Sequence, residues 1–477
     1  MSKCKKIVSL CLAAAMLLAA CMLTGCDTEG GSEERDYGDY YRPETQTVDQ
    51  SLLPGMMYIV NEGYNYNNVD YVTGLETMKN LGVKRIRFDT PGGDAFPDLT
   101  TRAEDRIQTA HDIIAEAEKN GIEMIADCLP YNYFFDKGWV YSVDGAGVPR
   151  RDTAEGSYYN QWLQGVGEMM YTIVSEFKEI VLWELGNEPN GTPYTYLDGT
   201  VATMQETAVI YADLMYVCAE AVHRADPDDL TVMGGLTELS GLGTTGGNAS
   251  FLQDIYDYIY SDESPSQYAD DYFQIACWHP YTFTDMDPDY FVEQNQKVYD
   301  VIVQNEGKDK KVIFSEFGFS DATVSQQAIV QFIYTMFETI RERMPYVETI
   351  CWFRAFNDYN DRGWGGDTTL VMYGLFYDPN YEYEGSGDNK YKGTLYIPGE
   401  PKPQAYAYQA CAGGSGDLTL MMLSRESIIA MESAATLEQL GEDGLPVRYG
   451  KDADGNLLTY TYCLTRTKEL FEQYKPQ

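Results

Sequence analysis

The stretch "LWELGNEPNG", Leu182 to Gly191, decides the fold. Leu182, Trp183 and Leu185 suit a strand covered on both faces, the habit of parallel sheets. Glu184 and Glu188 fall in one strand phase, where an unpaired carboxylate is costly to bury. Pro189 cannot continue a central strand. The acids therefore sit in and at the end of a buried strand, with the amide Asn187 beside the second, and groups placed so carry chemistry.

Outward from this strand one pattern recurs: a short apolar strand, a polar stretch, an amphipathic helix. Strands are expected at Met56–Val60, Val83–Asp89, Glu123–Cys128, Val181–Glu188, Leu230–Gly234, Phe273–His279, Val312–Glu316 and Thr349–Phe353. The helical stripes include Ile107, Ala110, Ile114 and Ala117, and later Ile329, Phe332, Ile333, Met336 and Ile340. A last helix follows Pro403. Strand–helix alternation predicts a parallel sheet, and eight repeats predict an α/β protein of the closed (β/α)8 TIM-barrel class. An open doubly wound sheet is the alternative, but no GxGxxG follows the first strand. The barrel is expected over residues 51–414, with a small C-terminal extension, 415–477. That extension holds a helix-like "SIIAMESAATLEQL" and a hairpin-like "LPVRYGKDADGNLLTYTY". Its "DADGN" reads as a turn, since a calcium loop also needs a distal Glu at fixed spacing.

Composition narrows the partners. The chain has 477 residues, with 34 Lys+Arg against 74 Asp+Glu and a net charge of −40. Such a surface repels phosphate backbones, so no nucleic-acid partner is expected, and a neutral polymer suits it better than an anionic one. Residues 1–25 read as a signal peptide: Lys3, Lys5 and Lys6 precede an apolar run from Ile7 to Leu23. "LTGC", Leu23 to Cys26, resembles the lipobox of bacterial lipoproteins, which implies lipidation of Cys26 and an extracytoplasmic, membrane-anchored protein. Residues 26–50 are acidic and poor in aliphatics, a flexible tether. The ten Cys show no CxxC pair, and with three His they offer no spaced ligand set, so neither metal nor organic cofactor is expected. A monomer is expected.

In a (β/α)8 barrel, catalytic groups stand at the carboxyl ends of strands. The polar residues there are Arg87 in "RIRFD", Asn187 and Glu188, His279 and Tyr281 in "CWHPY", Glu316 in "FSEFG", and Trp352 in "CWFR". Two carboxylates on nearly opposite strands, ringed by such groups, suit glycosidic bond cleavage, which needs a proton donor and a second carboxylate at the anomeric carbon. Glu184 is expected to be an ion-pair partner inside the barrel, and Arg85 or Arg87 a structural charge lining it.

"LWELGNEPNG" resembles the acid/base signature of clan A glycoside hydrolases, in particular the "WELxNEP" run of family 5 endo-β-mannanases. "VIFSEFG", Val312 to Gly318, is similar to the nucleophile strand of that clan, and "HPY" to its His-x-Tyr pair. The resemblance spans roughly residues 54–413. It implies Glu188 as general acid/base, with a raised pKa, and Glu316 as nucleophile. It implies Asn187 bonded to the sugar 2-hydroxyl, Tyr281 and Arg87 on Glu316, His279 lining the same subsite and Trp352 stacked under the sugar. The third strand runs "IADCLPYNYF" without the His usual in family 5, leaving Tyr131 or Asn132 to fill the place. Family 39, largely β-xylosidases, is the neighbouring assignment. Trp364, in the long loop after the eighth strand, and Tyr131, Tyr133 and Trp139, after the third, are expected to form cleft walls.

A membrane-anchored retaining β-glycosidase acting on a neutral polysaccharide or oligosaccharide follows, with β-mannan or β-glucan the expected backbone. The alternatives are a β-xylosidase-like exo-glycosidase, a non-catalytic glycan-binding surface lipoprotein and a transporter's solute-binding lipoprotein. The last is a two-lobed open sheet with no use for both acids.

Overall fold

Eight parallel strands close on themselves in chain order. They are β1 Leu53–Met57, β2 Arg85–Asp89, β3 Glu123–Asp127, β4 Leu182–Asn187, β5 Leu230–Thr237, β6 Ala276–His279, β7 Val312–Phe317 and β8 Val347–Trp352. A helix follows each: α1 Tyr71–Leu81, α2 Glu104–Lys119, α3 Tyr158–Glu176, α4 Met204–Ala225, α5 Asn248–Ile259, α6 Pro288–Glu306, α7 Gln326–Arg343 and α8 Pro403–Ala412. This is a (β/α)8 barrel. The computed structural model describes residues 52–58, 71–89, 95–96, 99–130, 147–237, 248–282, 286–357, 372–377, 399–422, 450–451, 457–458 and 469–476. By compactness the chain divides into Met1–Asp39 and Tyr40–Gln477, and every described residue belongs to the second.

Alternation along the strands builds two apolar layers. Ile125, Leu182, Val232, Ile275, Cys277, Ile313 and Cys351 fill the barrel interior. The intervening residues, such as Trp183, Phe314 and Ile350, join the helices in a much larger outer core. The anticipated stripes on α2 and α7 are buried there. Helix starts are written in the sequence: Thr203 and Glu206 form a reciprocal capping box on α4, Ser157 and Ser325 cap α3 and α7, and Pro288 opens α6.

The first strand begins three residues before its anticipated start. Pro54 and Gly55 look like breakers, yet the Pro54 carbonyl accepts from Lys84 N at 2.7 Å, so the ladder continues through the proline. Gly55 is required there, because a Cβ would stand 2.6 Å from Cys351 Sγ where β1 meets β8. The Tyr408 hydroxyl on α8 donates to the Gly55 carbonyl at 2.6 Å, tying the last helix to the first strand.

Past α8, Leu418 and Met421 are buried, and residues 469–474 form a helical turn whose Phe471 lies 5.3 Å from the Tyr406 ring. The anticipated hairpin appears as a two-stranded antiparallel ladder, β9 Gly450–Lys451 with β10 Leu457–Leu458. Its "DADGN" turn lies outside the described residues, as do the expected signal peptide, Cys26, the expected tether and the helix-like stretch of the extension. Among the described residues no helix is long and apolar enough to cross a membrane.

Candidate active site

The polar residues of the barrel interior converge on Arg87. Its guanidinium is buried and donates to five side-chain oxygens. Nε bonds Glu184 Oε2 at 2.6 Å, and Nη1 bonds Glu316 Oε1 at 2.7 Å. Nη2 reaches Asn187 Oδ1 at 2.8 Å, Asp127 Oδ2 at 3.0 Å and Glu184 Oε1 at 3.2 Å. Burial pulls the Arg87 pKa down, but the charges of Glu184, Asp127 and Glu316 outweigh it and hold it well above the ordinary value. Arg85, two residues earlier and one layer deeper, meets Glu123, Glu348 and Thr349 instead. Of the two arginines, Arg85 is the structural charge and Arg87 the one at the mouth. Glu184 is fully buried against Arg87, the ion-pair partner that its strand phase implied.

Glu316 stands opposite Glu188. Its Oε2 accepts from the Tyr281 hydroxyl at 3.1 Å. Burial and the Glu316 charge raise the Tyr281 phenol well above its ordinary value, so it remains a donor. A register shift explains how Glu316 reaches the interior. Phe314 pairs with Ile350 and Phe317 with Trp352, so β7 carries one residue more than β8 between these pairs. Such bulges re-aim side chains beside active sites. Here consecutive residues, Ser315 and Glu316, both contact interior groups, while Phe314 and Phe317 lie in the outer core.

Glu188 follows β4 with φ at 46°, in the left-handed region that a non-glycine residue enters at a cost of about 1–3 kcal/mol. Two backbone bonds hold it there: Glu188 N to Gly235 O at 2.9 Å and Gly191 N to Glu188 O at 2.8 Å. Asn190 secures the turn, accepting from Thr237 N at 2.8 Å and donating to Thr237 O at 3.0 Å. The strained turn aims the carboxylate at His279, whose Nδ1 lies 2.9 Å from Glu188 Oε1 and 3.7 Å from Glu316 Oε2.

This contact corrects one expectation. Burial does push the Glu188 pKa up, as anticipated, but the hydrogen bond and charge of His279 outweigh burial and bring it below the usual carboxylate value. His279 responds in the opposite sense. Burial lowers its pKa, while the charge of Glu316 and the bond to Glu188 raise it to a net value above the ordinary one.

A second correction concerns Trp352. It is buried in the strand–helix layer, where its Nε1 donates to the Tyr373 carbonyl at 3.1 Å and its ring meets Phe317 edge-on at 6.2 Å. Cys351 takes the inward phase. The aromatic at the mouth is Phe353, half-buried, 5.5 Å from Tyr373 and 6.4 Å from Tyr281. Sequence reasoning missed it, with Ser315, Asp127 and Tyr373. Tyr131, Asn132, Tyr133, Trp139 and Trp364 lie outside the described residues. The ends of the long loop after β8 are anchored: Lys402 Nζ donates to Asp321 Oδ2 at 2.9 Å and Asn357 Oδ1 at 2.7 Å.

One atom each of Glu188, His279 and Glu316 lies within 4.8 Å of the others, the one set among the described residues that could close on a cation. Within that set His279 Nδ1 is bonded to Glu188 Oε1, and Glu316 Oε2 accepts from Tyr281.

A (β/α)8 barrel with paired glutamates at the ends of β4 and β7, both facing His279, defines the clan A glycoside hydrolases. The family model described as cellulase (glycosyl hydrolase family 5) matches residues 54–353, and the chain belongs to that family. No curated protein matches it in sequence. Among solved structures it is similar to a family 39 glycoside hydrolase from Bacteroides cellulosilyticus WH2, at 17% identity and TM-score 0.51, over 78% of this chain and 65% of that one. An exo-β-1,4-mannosidase from Opitutaceae bacterium strain TAV5 matches at 13% identity and TM-score 0.50, over 79% and 61%. A family 1 β-glucosidase from Thermotoga maritima matches at 15% and 0.50, over 77% and 98%. The chain thus spans under two thirds of the first two. These likenesses show the fold, which the three share with this chain.

Proposed function

We propose that the protein is a retaining β-glycoside hydrolase that cleaves a neutral polysaccharide or oligosaccharide, with β-mannan or β-glucan as its backbone. One observation carries the reading: oxygens of Glu188 and Glu316 lie within 4.8 Å of each other across the barrel mouth. Retaining enzymes hold their carboxyls about 5–5.5 Å apart, too close for a water to fit between base and sugar. Glu316, held by Arg87 and Tyr281, attacks the anomeric carbon as the bond to the leaving oxygen breaks. Glu188 gives that oxygen a proton. Water then attacks the same carbon, Glu188 takes its proton, and Glu316 departs. Asn187, its carbonyl oxygen fixed by Arg87, keeps its NH2 to donate to a sugar hydroxyl.

A reducing-sugar assay on a panel of neutral polysaccharides identifies the substrate, and NMR of the first-formed sugar gives the stereochemistry. Glu316→Ala abolishes turnover, and azide restores it with an inverted glycosyl azide. Glu188→Ala spares substrates with good leaving groups and gives a retained azide, since general-acid help is worth about 10²–10⁴-fold only where the leaving group needs it. Inversion by the wild type sinks the mechanism. We also propose an extracytoplasmic protein anchored through Cys26, on the strength of the lipobox resemblance. Cys26→Ala then moves the protein from the detergent phase to the aqueous phase, and a wild type found wholly in the aqueous phase refutes the anchor.

A further inference from the structure

Beneath the two carboxylates runs a circuit of hydrogen bonds that double displacement does not itself require. His279 Nε2 lies 3.0 Å from Ser315 Oγ, and Ser315 Oγ lies 2.8 Å from Glu184 Oε1. Glu184 returns through Arg87 to Glu316. We propose that Ser315 is a positioning residue which, anchored on Glu184, fixes the Nε2–H tautomer of His279 and makes Nδ1 the store for the proton that Glu188 delivers to the leaving oxygen. This rests on the acid/base role given to Glu188 above.

The donors and acceptors leave one arrangement. Glu184 Oε1 receives Gly235 N–H at 3.1 Å and Arg87 Nη2–H at 3.2 Å, groups that can only donate, and Glu184 is salt-bridged to Arg87. It is an acceptor, so the Ser315 hydroxyl proton points to it. Ser315 Oγ is then left to accept, from Cys277 Sγ–H at 3.1 Å and from His279 Nε2–H. With Nε2 committed, Nδ1 and Glu188 Oε1 share the remaining proton across 2.9 Å.

The charges around the ring decide where that proton rests. Glu188 and Glu316 face Nδ1, with Arg87 opposing them and Tyr281 edge-on at 6.3 Å; Ser315, backed by Cys277 and Glu184, faces Nε2. In the free enzyme two carboxylates hold the proton on Nδ1, as imidazolium. When Glu316 bonds the anomeric carbon, its negative charge is consumed, and the imidazolium loses a counter-charge 3.7 Å away. The Nδ1 proton passes to Glu188, and Glu188 hands that proton on to the leaving oxygen. His279 ends neutral, Glu316 esterified and Glu188 ionised, so charge and protons balance. Attack by water reverses each transfer. Gly235 makes the geometry possible: a Cβ there would lie 2.2 Å from His279 Nε2.

The chain has only three histidines, so 15N-histidine labelling of the full protein resolves His279 by NMR. The wild type at neutral pH is expected to show both nitrogens protonated. Glu316→Gln, which removes the charge as esterification does, shifts His279 toward the neutral form with the proton on Nε2. In Ser315→Ala the Nε2–H loses its acceptor, and an Nδ1–H form of neutral His279 appears. The loss also destabilises the imidazolium, so the basic limb of kcat/KM moves to lower pH by about one unit, roughly tenfold in rate on that limb. A neutral Nδ1–H tautomer in the wild type, or a folded Ser315→Ala with wild-type basic limb and tautomer, overturns the proposal. The wild-type spectra need no activity. Expected spectra from a protein that hydrolyses nothing in the panel would leave the tautomer standing and refute the glycosidase reading alone.

Discussion

At the scale of residues, two carboxylates at different depths show how neighbours decide a pKa. Glu188 and Asp229 are both penalised by burial. Glu188 has an imidazole at 2.9 Å and falls below the usual range. For Asp229 the Trp183 indole N–H, at 3.0 Å, and the charge of His223 do not offset burial and the like charges of Asp226 and Asp228, and it is pushed up to about 6. That sign has a consequence for stability. Below the ordinary value of 3.8, Asp229 is protonated in folded and unfolded chains alike. As pH rises from there through about 6, the unfolded chain releases the proton first, and folding loses free energy until both are ionised. Asp229→Asn keeps an oxygen for Trp183 and abolishes the loss. Thermal melts are expected to show the Asp229→Asn variant more stable than wild type at pH 7.5 and equal to it near pH 4. An equal gain at both pH values would show that charge at this position is irrelevant.

At the scale of elements, one step along a strand exchanges core for cleft. In "CWFR" the chain passes from the interior Cys351, to Trp352 in the outer core, to Phe353 at the mouth. Trp352→Ala therefore carries the cavity cost of a large buried side chain, about 3–5 kcal/mol, seen as a fall in Tm. Phe353→Ala leaves Tm nearly unchanged and raises KM for the oligosaccharide. The reverse pattern, a silent Trp352→Ala melt with a KM defect, would return Trp352 to the substrate. The strand was legible in the sequence and its facing was not, because all of "ICWF" is apolar and period-two alternation has nothing polar to fix its phase. The same limit hid Ser315: alternation turns inward either Ser315 or Glu316, and only the bulge against β8 turns both. Glu188, Asn187, Glu316 and Tyr281 were legible because each is polar at the end of an apolar run. The pairing of His279 with Glu188, 91 positions apart, is made by barrel closure, and no local pattern records it.

At the scale of the whole molecule, the charge of −40 acts on what the cleft admits. Arg87 spends its charge inside, on Glu184, Asp127 and Glu316, and Arg85 is likewise neutralised by Glu123 and Glu348. Neither cation is available to an anionic chain lying across the mouth. A neutral glucan or mannan meets no penalty there, whereas a carboxymethylated or uronate-bearing polymer of the same backbone approaches against a repulsive field. Such repulsion reaches about 30 Å at 0.01 M salt and only about 3 Å at 1 M. Raising the sodium chloride concentration across that range is therefore expected to increase kcat/KM several-fold on the carboxymethylated polymer, while the neutral parent polymer changes little. Equal salt dependence for both would trace the effect to protein stability or to the catalytic acids, and a fall on the anionic polymer alone would reveal a cationic binding surface that overrides the net charge.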